Sequence, residues 1–168
     1  MVSRPGMLAL LGATALFGAQ LALHYPDLPD RVASHFDASG RADGFMAKGA
    51  FVTLMAALAV GDLLLFAGIG WLIGRLPAGL INMPNKDWWL APERRAATVA
   101  ALAAQLHWIG AATQLLLVAT FELTARANSG DQAQLSGGFW FVLVGYLLYV
   151  AWWLVRMHRR FGRPQEAA

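Results

Sequence analysis

Cysteine is absent from the chain, which excludes disulfides, thiolate metal ligands and a cysteine nucleophile. Charge is scarce too: 14% of the 168 residues are Asp, Glu, Lys or Arg, against 58% hydrophobic. That much apolar surface exceeds what one soluble core hides, so the bilayer is the expected solvent. No strand leads into a glycine-rich phosphate loop and no HExxH run occurs, so nucleotide binding and zinc-peptidase chemistry are not expected. Ser34 and His35 are sequence neighbours and form no triad without other partners. The net charge of +3 comes from basic residues beside apolar runs, which favours lipid headgroups over nucleic acid as the counter-charge.

What is present is four apolar stretches, at 7–23, 50–73, 96–121 and 138–155. At about 1.5 Å per residue they reach roughly 26, 36, 39 and 27 Å against a hydrocarbon core of about 30 Å, so the middle two must tilt or protrude. The first follows Arg4 as a signal peptide does, yet Leu21, Ala22, Leu23 and His24 offer no small-x-small cleavage pattern, and it is expected to remain as a membrane helix. Cationic residues resist translocation. Arg4, Arg75, Lys86, Arg94, Arg95, Arg156, Arg159, Arg160 and Arg163 fall on one side, and Arg31, Arg41, Lys48 and Arg126 on the other, nine against four. The expectation is a single domain over 1–168, an all-α integral membrane four-helix bundle with both ends in the cytoplasm. An ordered external loop then covers 24–49 and a cytoplasmic interfacial loop covers 74–95. Trp88, Trp89, Trp152 and Trp153 lie at the inner interface, where amphipathic indoles are favoured.

Polar residues inside the spans are costly and stand out. Asp62 lies near the middle of the second stretch, and Gln105, His107, Thr113 and Gln114 lie in the third. His107 and Gln114, seven apart, share a helix face. With the two helices antiparallel, a buried contact between Asp62 and His107 is expected, either as interhelical glue or as a proton- or ligand-sensing site. The small pairs Gly70 and Gly74, and Ala15 and Ala19, are read as packing positions.

In the loop at 24–49, Pro26 and Pro29 fix the chain past the first helix, and Gly40 and Gly44 mark turns around Ser39, Arg41 and Asp43. Asp37, Ser39, Arg41 and Asp43 alternate before Gly44 as calcium ligands do, but Arg41 breaks the pattern and no closing glutamate follows. His24 and His35, with Asp27 or Asp30, match no tight zinc spacing. As haem ligands His24, His107 and His158 fall at three different depths. No metal or cofactor is therefore expected.

Leu28, Pro29, Asp30, His35, Phe36, Gly40, Asp43, Gly44 and Lys48 form a string that resembles a bacterial membrane family of unknown function, whose domain also opens Sdp-type toxin-immunity proteins. A second block, Ile81 to Arg95, is similar to the segment after the second helix in that family through Asn82, Pro84, Asn85, Lys86, Trp88, Trp89, Glu93 and Arg94. Ala33 stands where the family often has proline, and the immunity proteins carry more helices behind this unit. The resemblance implies the fold of the front half more than it implies immunity, and it brings no catalytic residues.

In the second block, polar Asn82, Asn85, Lys86 and Asp87 alternate with apolar residues, which reads as an interfacial anchor or a docking surface. A new helix is expected at Pro92, with Glu93 in its first turn. The chain is thus expected to be a non-enzymatic, multi-pass inner-membrane module. It would meet the lipid bilayer and a protein partner or a second copy, recognising a ligand or protein at the envelope. The alternative is a small proton-linked carrier subunit using Asp62 and His107.

Overall fold

The computed structural model describes residues 4–130 and 133–162; Arg163, one of the basic residues behind the expected orientation, lies outside them. Four helices are long and apolar enough to cross a membrane: α1 (Arg4–His24), α2 (Lys48–Leu72), α4 (Pro92–Ala127) and α5 (Gly138–Phe161). A 3-10 turn at Ala78–Leu80 and the short α3 (Lys86–Trp89) lie between α2 and α4. In lipid no water can satisfy backbone N–H and C=O groups, so helices are the form these stretches must take. α4 begins as its sequence dictates, with Ala91 extended, Pro92 in the first turn and Glu93 beside the N-terminal dipole.

The expectation of an all-α chain is corrected between α1 and α2. There β1 (Arg31–Phe36) and β2 (Ala42–Ala47) pair antiparallel, with Val32 opposite Met46 and His35 opposite Gly44. Alternation is regular in β2, whose residues are half-buried and exposed in turn, whereas β1 buries the neighbours Val32 and Ala33 together and its register is irregular between Ala33 and Phe36. Gly40 at the tip has φ +83°, a left-handed conformation that favours glycine.

The four expected helices are all present and pack around one of them. α4 is the central helix, and α1, α2 and α5 all pack on it, but α5 has no other extensive helix partner. Lipid tails are as apolar as leucine, so no hydrophobic force draws the fourth helix into a closed ring. α1 buries Gly6, Leu10, Ala13, Phe17 and Leu21, three or four apart, as one stripe against α4. Ala15 and Ala19 are off that stripe and exposed. The apolar core lies towards the hairpin end, where Phe17, Leu21, Leu28, Val32, Phe51 and Phe121 converge. Phe121 is its hub, edge-on to Phe17 (5.7 Å) and stacked on Phe51 (6.0 Å).

The register of α2 on α4 follows from close approaches. Gln114 Nε2 donates to the Ala59 carbonyl (2.6 Å), Phe66 covers Gly110, and Gly70 abuts His107. A methyl group on Gly110 would sit 2.7 Å from Phe66 Cγ, whereas one on Gly61 meets nothing within 4 Å. Gly110→Ala is therefore expected to destabilise the protein by about 1–3 kcal/mol through overpacking. Gly61→Ala should be neutral or mildly stabilising through helix propensity, and thermal unfolding in detergent compares the two.

Candidate functional site

Asp37 organises the hairpin tip. Its Oδ1 accepts the Ser39 hydroxyl (2.7 Å) and the backbone N–H groups of Ser39 (2.8 Å) and Arg41 (3.0 Å). These bonds, that of the Ser39 hydroxyl foremost, hold the Asp37 carboxyl below its ordinary 3.8. Of the four positions considered for calcium, Asp37 thus has its Oδ1 committed to the turn. Across the strands His35 Nδ1 pairs with Asp43 Oδ1, and the close packing of His35 Cβ on Gly44 leaves 2.8 Å for a methyl group there.

The segment joining α4 to α5 docks on this tip. The Leu135 N–H donates to the Gly40 carbonyl (2.8 Å), Gln134 Nε2 donates to the Ser39 carbonyl (3.0 Å), and a Cβ on Gly40 would lie 2.5 Å from the Leu135 oxygen. Deeper, the Asn128 side chain completes β1: the Ala33 N–H donates to its Oδ1 (2.7 Å), and its Nδ2 donates to the Ala33 carbonyl (3.0 Å) and the Thr124 carbonyl (2.9 Å). Between these two ties is a cavity of about 510 Å³. Ser34, His35, Asp37 and Ser39 line it from the hairpin, Thr120 and Thr124 from α4, and Ser136 from the connecting segment. Phe36, Phe139 and Trp140 add aromatic faces, and neither lysine nor arginine lines it among the described residues. Such a volume with a few convergent polar groups is what a small-molecule site requires. The lining offers hydroxyls, one carboxylate and the second imidazole nitrogen of His35, and it suits a neutral or cationic polar group.

A second polar cluster ties α1 to α4 at the same end. Glu122 Oε2 accepts from Gln20 Nε2 (2.8 Å) and contacts His24 Nε2 (2.9 Å), while its Oε1 accepts from Arg126 (2.7 Å). The His24 ring is thus committed to Glu122. Among the described residues no three His, Asp or Glu side chains converge as metal ligands.

The expected Asp62–His107 contact does not form. His107 is 1% exposed and sits between Gly6 and Gly70, with neither ring nitrogen hydrogen-bonded among the described residues. Asp62 lies two helical turns away from Gly70 on α2, and its buried Oδ2 is also without a partner. The cause is register: close contacts place Gln114 level with Ala59 near Asp62, and His107 level with Gly70. Gln114 is fully buried, and only its amide nitrogen is used.

The other motif residues divide between packing and surface. Leu28 joins the core, Pro29 lines a shallow cleft beside Arg31, and Lys48 reaches the Pro26 carbonyl (3.4 Å) while its backbone N–H donates to the Asp30 carbonyl (2.9 Å). At the opposite end Asn85, left-handed at φ 51°, and Trp89 both donate to the Phe161 carbonyl (3.2 and 2.9 Å). This pins the 74–91 loop to the end of α5. Arg94 donates to the Trp88 carbonyl (2.7 Å) and stacks on its ring, and also pairs with Glu93. Asn82, Pro84, Lys86 and Asp87 are exposed.

Residues 9–60 match a domain of unknown function, DUF1648. The match takes in most of α1, the whole hairpin and the first half of α2, just under a third of the chain, and stops before the Ile81–Arg95 block. No curated protein and no solved structure matches the chain. The hairpin wall of the cavity thus falls inside the DUF1648 segment, whereas Thr120, Thr124, Ser136 and Trp140 fall outside it.

Two outcomes test this geometry. Asn128→Asp keeps an acceptor for the Ala33 N–H and leaves the Ala33 carbonyl without a donor, a loss of about 1–3 kcal/mol that faster amide exchange along β1 reports. Because the folded Asp37 carboxyl titrates below 3.8, its stabilisation of the turn is complete above that pH and disappears as the pH falls through the lower folded value. Exchange at the Ser39 and Arg41 amides, corrected for intrinsic rates, should accelerate only in that acid window, and Asp37→Asn should abolish the step.

Proposed function

We propose that this chain is a non-enzymatic ligand-recognition module of the bacterial inner membrane, with the hairpin outside and both ends in the cytoplasm. The 510 Å³ cavity between the hairpin and the α4–α5 junction is its binding site, and that cavity is the observation that carries the reading. The imbalance of Lys and Arg between the two sides supports the orientation. A sensor- or immunity-like role fits a binder without chemistry, and the likeness of the Leu28–Lys48 string to Sdp-type proteins supports it. The hairpin's His35–Asp43 pair engages no nucleophile, since no hydroxyl bonds the second ring nitrogen of His35 among the described residues. A protein partner or second copy would read out occupancy, and the exposed Asn82, Lys86 and Asp87 at the opposite end supply a polar surface for it.

Because the chain has no cysteine, Ser39→Cys makes a unique reporter. A membrane-impermeant maleimide should label it in intact cells, and labelling only after lysis would reverse the orientation. Native mass spectrometry of the gently solubilised protein should show a small molecule retained at one per chain and lost in Thr120→Trp, which fills the cavity floor. A chain that retains nothing in either form would remove the binding role.

The second reading, a proton-linked carrier, is favoured by the buried, unpartnered atoms of Asp62, His107 and Gln114. It expects proteoliposomes to move solute in response to a pH gradient and Asp62→Asn to stop them. Structural glue instead expects the isostere to be tolerated.

A further inference from the structure

Two further cavities follow the hairpin-end cavity along α4. Thr124, Thr120, Leu116, Ala112 and Trp108 recur at every fourth position, so they form one ridge of α4. The two threonines line the hairpin-end cavity; one turn further, Leu116 and Ala112 line a second cavity of about 220 Å³ against Val142, Tyr146 and Tyr149 of α5. Ala112, Leu115 and Tyr149 are shared with a third, of about 440 Å³, whose far wall is Ala9, Gly12, Ala13 and Leu16 of α1. This apolar groove exists because α5 rests on α4 without closing on α1, and because Ala9, Gly12, Ala13, Ala111 and Ala112 are small.

Polar and apolar parts thus follow one another along a single helix face. At the top are five hydroxyls, an imidazole and the Asp37 carboxylate, whose Oδ2 makes no hydrogen bond among the described residues. Trp140, half exposed in the first turn of α5, stands where the hydroxyls give way to the apolar groove. The carboxylate, the open tryptophan face and the lack of lysine and arginine favour a cationic group over a bare anion. We propose that the α4–α5 seam takes a membrane lipid laterally from the bilayer, its amine-bearing head in the hairpin-end cavity and its acyl chain along Leu116, Ala112 and Trp108. This rests on the cavity being a ligand site and names the ligand's class.

The test places the full-length protein in nanodiscs of phosphatidylethanolamine and phosphatidylglycerol with a trace of phosphatidylethanolamine carrying a diazirine in its acyl chain. Irradiation is expected to label residues 112–116 and 142–149 above the outward faces of α2 and α5. Ala112→Trp, or Val142→Trp from the opposite wall should the first not fold, should lower that labelling about tenfold, the loss expected when a contact worth about 1.4 kcal/mol is removed. Asp37→Asn should lower it for the ethanolamine probe and leave a phosphatidylglycerol probe unchanged. Uniform labelling of every lipid-facing helix, or labelling indifferent to the groove-filling variants, overturns the lipid proposal. In that event, retention of a water-soluble molecule that Thr120→Trp abolishes and Ala112→Trp spares keeps the cavity as a ligand site, whereas indifference to both variants removes that reading too.

Discussion

The arrangement depends on the amide of Asn128 meeting the backbone of Ala33. A two-stranded hairpin is marginal by itself, and β1 presents a buried N–H and C=O at Ala33 that lie away from water. Asn128 is suited to this place because its side chain carries a donor and an acceptor with the spacing of a backbone amide. It also donates to the Thr124 carbonyl in the last turn of α4, which the Asn128 backbone N–H reaches as well. One side chain therefore ends α4, extends the sheet by a rung and fixes the height of the hairpin above the membrane. The upper ties, from Leu135 and Gln134 to the turn, then enclose the cavity without having to hold the hairpin in place.

The sequence made the membrane part legible for a simple reason. Long apolar runs have few fates, and the helix starting at Pro92 follows from a proline and a glutamate whose preferences are local. The hairpin was harder to see. Its strands are six residues each, and the alternation is blurred by Ala33, Ala42 and Ala47, which signal neither face. Its conformation comes from partners 95 residues away, such as Asn128 for Ala33 and Gln134 for Ser39. The cavity shares that cause, since half its lining lies on α4, α5 and the segment between them. Glu122 could have been noticed: it follows the apolar run, has Arg126 one turn on, and lies at the membrane boundary where His24 ends α1. Asp62 and His107 drew attention as the costly residues they are, but depth alone does not give register. Close contacts such as Phe66 on Gly110 set the register, and they place these two side chains at different levels.

α4 divides its circumference between two kinds of contact. The face carrying His107, Gly110, Gln114 and Phe121 is dry and tight, built from small residues and from side chains that α1 and α2 cover completely. Its polar members lie among close-packed neighbours, with Gly70 leaving His107 no space for an added methyl group, which is the setting of a structural contact more than of a conduit. The ridge from Thr124 to Trp108 is different. It is only partly covered, because α5 leans on it without a second helix to brace against, and it changes from hydroxyl to hydrocarbon over its length. Packing costs set the first face, and an amphiphile's own polarity gradient is matched by the second. A helix with both faces can hold the fold rigid on one side while the other exchanges occupants with the bilayer. The looseness of α5 is therefore a condition of access to the site, since a closed bundle would bury the groove that the lipid chain needs.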